Sequence, residues 1–119
     1  MRTETGLVNR GNFLLVQEYL AYLLQVRLKN PKTVERYRSW LNHLLLWAME
    51  IPLQKAPSIS TPFSDYVRSK NFAQETQKKT VETARAFLRW AKLYHENQFT
   101  ELPAYWVEDL SPIRDKKKS

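Results

Sequence analysis

The sequence predicts an all-α domain, a bundle of four to five helices, and three observations point to it. Glycine occurs only twice in 119 residues, at Gly6 and Gly11, so nothing beyond residue 11 supplies the Gly-Gly or Asn-Gly turns that β-hairpins favour. Apolar residues recur at spacings of three and four over long stretches. Hydrophobic residues make up 43% of the chain and aromatics 13%, enough to fill one core at a length that leaves little room for a second.

The first helix is expected from about Gly11 to Lys29, where Phe13, Val16, Leu20, Leu23 and Leu24 form one stripe. Asn12 is the expected N-cap, and Asn30-Pro31 ends the helix because a residue before proline avoids the α region. The second helix follows from about Lys32 to Glu50, with Val34, Tyr37, Leu41, Leu44, Leu45 and Ala48 on one face. Ile51-Pro52 closes it and opens a proline-dotted loop through Pro57. A short third helix starts at Ser60-Thr61-Pro62, read as a cap with proline in the first turn, and carries Phe63, Tyr66 and Val67 to about Ser69. The fourth and longest runs from about Gln74 to Asn97, with Val81, Ala84, Phe87, Leu88, Ala91 and Tyr94 in helical period. Beyond it Trp106 is expected to fold back onto the bundle. Thr33-Val34-Glu35 and Thr80-Val81-Glu82, each followed at equal offsets by Arg and Leu, form an internal echo. In domain terms, residues 1–11 are expected to be a flexible N-terminus, 12–110 the helical domain, and 111–119 a basic linker or tail.

Charge narrows the function classes. Nineteen Lys and Arg against 12 Asp and Glu give a formal net charge of +7. Setting aside the tail with Arg114, Lys116, Lys117 and Lys118 leaves the remainder still basic. A polyanion is the natural partner, since each neutralised phosphate releases counterions. With no cysteine there are no disulfides, thiolate ligands or cysteine nucleophile, in keeping with a reducing interior. The polar N-terminus lacks the apolar core of a secretory signal, and the longest apolar run, Leu44 to Met49, is far too short for a bilayer. A soluble, cytoplasmic protein is expected, with no membrane partner.

The positive charge has a geometry. On the fourth helix Arg85, Arg89 and Lys92 fall within about 40° of Lys78 at about 100° per residue, and Glu82 is the acid inside that arc. On the second helix Arg36, Ser39 and His43 lie within about 40° of Lys32, with Lys29 just before the helix. Side by side, two such ridges would suit the phosphates flanking a groove. Charged faces of helices are commonly only solvated, yet they then mix signs, with Glu placed to pair with Lys.

At this point the pattern resembles a known family. Phe13 followed by Tyr19-Leu20, then Thr33 with Tyr37, Leu41 and Trp47, is similar to the core-binding domain of tyrosine recombinases and phage integrases. The stretch Thr80 to Trp90, with Arg85-Ala86-Phe87-Leu88-Arg89-Trp90-Ala91, looks like that family's closing helix, so the resemblance spans about Phe13 to Asn97. It implies an orthogonal, SAM-like bundle forming one half of a C-shaped clamp around a recombination half-site. The other half is the catalytic domain of the same parent protein, and neighbouring protomers touch through this domain on DNA. The family's second and fourth helices cross duplex DNA, which makes Thr33, Arg36, Lys78, Arg85 and Arg89 expected contacts. Lys32, Ser39, His43 and Lys92 extend the same ridges. Tyr37 matches the family's tyrosine but belongs to core packing. The family's strand-transfer residues are missing: His43 and His95 are each without an arginine three residues on, and none of the six tyrosines is read as the nucleophile. The chain is therefore expected to be an excised or truncated DNA-gripping domain and not itself an enzyme.

Other chemistry is weaker. Two histidines far apart with no cysteine do not make a metal site, and no glycine loop cradles a phosphate cofactor, so no metal or cofactor is expected. Asp65 with Glu75, or Glu108 with Asp109, form carboxylate pairs with nothing to suggest burial. The competing reading is a helical protein-interaction module, with Trp40 as an anchor beside the second-helix ridge. A helix-turn-helix regulator is disfavoured because no short glycine-bearing turn joins two short helices.

Overall fold

The computed structural model describes residues 2–3 and 6–110. The described chain is helical apart from a small antiparallel pair, β1 (Arg2–Thr3) and β2 (Gly6–Leu7). Five α-helices follow: α1 (Arg10–Gln25), α2 (Pro31–Ala48), α3 (Phe63–Arg68), α4 (Gln74–Tyr94) and α5 (Ala104–Glu108). Two 3-10 segments, Leu53–Ser58 and Glu96–Gln98, sit in the connections. No helix among the described residues is long and apolar enough to cross a membrane.

The bundle begins earlier than the expected residue 12. Val8 is buried in the core, and Asn9 caps α1 by accepting a hydrogen bond from Asn12 N at 2.9 Å. Asn9 also reaches the α2 end, its N–H donating to Met49 O at 2.7 Å and its side chain to Glu50 O at 3.0 Å. Asn12, expected as the cap, lies inside α1 and is fully buried. Its Nδ2 donates to Ile51 O and its Oδ1 accepts from Leu53 N, both at 2.9 Å, so one amide satisfies two backbone groups of the proline-dotted loop. The expected linker of residues 111–119 lies outside the described residues.

α1 stops at Gln25, four residues short of the expectation. Leu28 takes a left-handed backbone, φ 55°, which lets Lys29 N–H turn back to Leu23 O at 2.9 Å. Asn30 then serves α2 by accepting from Lys32 N at 2.8 Å, with Pro31 in the first turn, where its missing N–H costs nothing. Met49 (φ 53°), just past α2, and Asn71 (φ 59°), between α3 and α4, also have positive φ. α3 starts at Phe63 with Pro62 ahead of it and no side-chain cap; Thr61 O instead accepts from Trp47 Nε1 at 2.7 Å.

The core lies between α1, α2 and α4. Leu41, Leu44 and Ala48 of α2 and Val81, Ala84, Leu88 and Ala91 of α4 are wholly buried. The alanines of α4 allow close helix approach, while Phe63, Phe87 and Phe99 fill the wider spaces. The internal echo corresponds to this packing, since Val34 and Val81, and Leu41 and Leu88, are matching core positions. Trp106 of α5 folds back as expected and stacks on Trp47 with ring centroids 6.4 Å apart.

Candidate nucleic-acid interface

A groove of about 630 Å³ lies between α2 and α4, closed at one end by the last turns of α1. Helical spacing explains its lining. On α2, Thr33, Arg36, Tyr37 and Trp40 stand at i, i+3, i+4 and i+7, one stripe beside the buried one. On α4, Lys79, Glu82, Ala86, Arg89 and Leu93 form the facing stripe, with small Ala86 leaving space at its centre. The α1 end contributes Tyr22 and Arg27, and the left-handed turn at Leu28 carries Lys29 to the mouth.

Charge in this groove is one-sided. Arg27, Lys29, Arg36, Lys79 and Arg89 face a single acid, Glu82. Among the described residues Arg27, Lys29, Arg36 and Lys79 enter no ion pair. Lys29 Nζ lies 5.9 Å from the Tyr37 ring centroid, a cation–π contact that still leaves its ammonium at the mouth.

Aromatic rings make the walls. Tyr37 and Trp40 pack 5.6 Å apart on α2. Opposite them, Trp90 touches Tyr19 (5.2 Å), Tyr22 (6.0 Å) and Tyr94 (5.9 Å). Burial pushes the Tyr19 hydroxyl up to about 12, and hydrogen bonding to Tyr22 raises Tyr94. Both phenols therefore stay neutral near pH 7 and add no negative charge to the site.

The fourth-helix ridge is divided by the C-terminal segment. Arg85 Nη1 donates to Leu110 O at 2.6 Å. Arg89 forks onto Glu108, its Nε donating to Oε2 at 2.7 Å, which holds the Glu108 carboxyl below its usual range. Lys92 Nζ donates to Phe99 O, at 3.2 Å, and to Leu102 O. The expectation of one open basic ridge is thereby corrected. Loop carbonyls around buried Phe99, Leu102 and Leu110 need donors, and the nearest are Arg85 and Lys92. Lys78 is exposed beside them.

The second-helix ridge also divides. Thr33 and Arg36 line the groove, whereas Lys32 and Ser39 are exposed outside its lining. His43 is half-buried against Phe72, ring centroids 4.7 Å apart, and burial, followed by the nearby Lys70 charge, lowers its pKa. It is a packing residue and uncharged near pH 7. His95 closes α4 as expected, with Glu18 oxygens 3.0 Å from its Nε2.

Of the expected contacts the groove thus gathers Thr33, Arg36 and Arg89. Arg27 and Lys79 were missed, although Lys79 shares an exposed stripe with Arg89 at spacings of three and four. Trp40, read from the sequence as an anchor for a partner or as packing against the third helix, is half of an aromatic wall.

No family model, curated protein or solved structure matches this chain. The chemistry of the site must therefore stand on its own residues. Among those described, no three His, Cys, Asp or Glu side chains cluster as metal ligands. Asp65 is paired to Arg68 and Glu108 to Arg89, which leaves neither placed as a general acid or base.

Proposed function

We propose that this chain grips duplex DNA, as the SAM-like core-binding domain of a tyrosine recombinase does, without cutting it. The observation that carries the reading is the α2–α4 groove, where Arg27, Lys29, Arg36 and Lys79, four cations that enter no ion pair among the described residues, face one carboxylate, Glu82. An ordinary solvated helix face pairs its charges; this one concentrates a single sign on a concave rim. Phosphates on the DNA backbone meet Arg36 and Lys79 from the two helices and Arg27 and Lys29 from the α1 end. Thr33 adds a hydroxyl beside them. Arg85 and Lys92 serve the same surface indirectly by fastening the C-terminal segment to the back of α4. In this reading strand-transfer chemistry belongs to a catalytic domain of the same parent protein, which closes on the opposite side of the duplex.

The test is a fluorescence-anisotropy titration of the protein with a generic duplex at low salt, repeated at about 200 mM salt. Phosphate gripping gives binding that weakens with a log-log slope of several units. Absence of binding at low salt overturns it. A helical protein-interaction module is the second reading, favoured by exposed Leu93 (71%) and Tyr94 (56%) at one end of the groove. Such an interface would hold its partner at high salt.

A further inference from the structure

The four rim cations account for phosphates, but they leave the aromatic walls of the groove without a task. Phosphate contacts need only lysine and arginine; here the rim also encloses a cleft walled by Tyr37 and Trp40 on one side and Tyr94 on the other. The cleft holds about 630 Å³, in the range of small-ligand sites. A cleft of small-ligand volume does not admit a duplex. One nucleotide can.

We propose that the groove takes an unpaired nucleotide of the bound DNA, its base stacked on the Tyr37–Trp40 wall and its phosphate held by Arg36 and Lys79. The inference rests on the DNA-binding reading and deepens it by naming what enters the site. Three features fit this occupant together. Aromatic faces accept any base, because every base has a π-face, so the site needs no sequence code. The rim cations match the charge of the phosphate on each side of such a nucleotide. Ala86 at the centre of the α4 stripe keeps the floor open to a ring, where a longer side chain would fill it. A nucleotide already unpaired also avoids the unstacking that a paired base must undergo before it can leave the helix.

The experiment compares two duplexes of equal length at the same salt, one fully paired and one carrying a single bulged adenine. Anisotropy is expected to show the bulged duplex bound about tenfold tighter, the lower part of what stacking one base provides. Trp40→Leu is expected to abolish that preference, bringing the affinities of the two duplexes within about twofold of each other. A second readout uses the unaltered protein. The Trp40 indole N–H resonance, identified by its loss in Trp40→Phe, should move with the bulged duplex and stay in place with the paired one. Equal affinity for both duplexes overturns this inference alone, as does a preference that survives Trp40→Leu or an indole resonance that responds equally to both. Failure of both duplexes to bind at low salt removes the DNA-binding reading and this one with it.

Discussion

Changing Arg36 to alanine removes one cation from the groove mouth and nothing from the core, because Arg36 is exposed on α2 and, among the described residues, enters no ion pair. Four rim cations without such a pair set the scale for the unaltered protein. At about 0.9 counterions released per phosphate, Arg27, Lys29, Arg36 and Lys79 give a log-log salt slope of about −3.6, or roughly a 150-fold loss of affinity between 50 and 200 mM. Arg36→Ala should lower the slope to about −2.7 and the loss to roughly 40-fold. Arg85→Ala is the matched control, an arginine of α4 outside the groove lining. Its guanidinium is committed to Leu110 O, so its loss should leave the slope unchanged and reduce stability by about 1–2 kcal/mol through the orphaned carbonyl. Anisotropy titrations at four salt concentrations, with thermal melts of each variant, measure both quantities. A slope reduced by Arg85→Ala and untouched by Arg36→Ala would refute the groove as the phosphate site and return it to the outer face of α4.

Other consequences can be checked in parallel. Glu82→Gln removes the acid of the groove and should tighten duplex binding about two- to threefold at low salt, read in the same titration. Asn12→Ala leaves the Ile51 carbonyl and Leu53 N–H unpaired in the interior, and urea unfolding should show a loss of about 2–3 kcal/mol. Because burial lowers the pKa of His43, the unfolded chain binds its proton more readily than the folded one. Stability should therefore fall as pH drops from above 6.5 toward the lower folded value, and His43→Leu should flatten that part of the pH profile of the melting temperature.

Much of this architecture was legible because apolar period is a local property. α2 and α4 lie close to the expected spans, and Trp106 packs back on Trp47 of the bundle. What escaped was set by contacts between distant residues. Asn12 reads as a cap because a polar residue opens the apolar stripe; its true role depends on a loop 39 to 41 positions away. The end of α1 was placed too late because Val26 and Leu28 carry no stop signal, and the turn comes from a backbone angle that leucine seldom adopts. Angular position on α4 correctly clustered Lys78, Arg85, Arg89 and Lys92. It could not show that the Leu110 carbonyl takes Arg85 and that Glu108 takes Arg89 at the groove edge, while Lys79, about 100° around the helix from Lys78, faces the groove in no ion pair among the described residues.

The positive-φ residues Leu28, Met49 and Asn71 carry an evolutionary consequence. After residue 11 the chain has no glycine, yet three of its junctions adopt the backbone that glycine occupies most readily. Each leucine or methionine there holds roughly 1 kcal/mol of strain that a single substitution would relieve. Leu28→Gly and Met49→Gly would relieve that strain, offset by the roughly 0.5–1 kcal/mol that glycine's greater unfolded-chain freedom costs, so stability should change little. Divergent descendants of this fold should carry glycine or asparagine at these positions more often than anywhere else outside the first eleven residues, a signature by which distant kin could be recognised when the helices themselves have drifted beyond comparison.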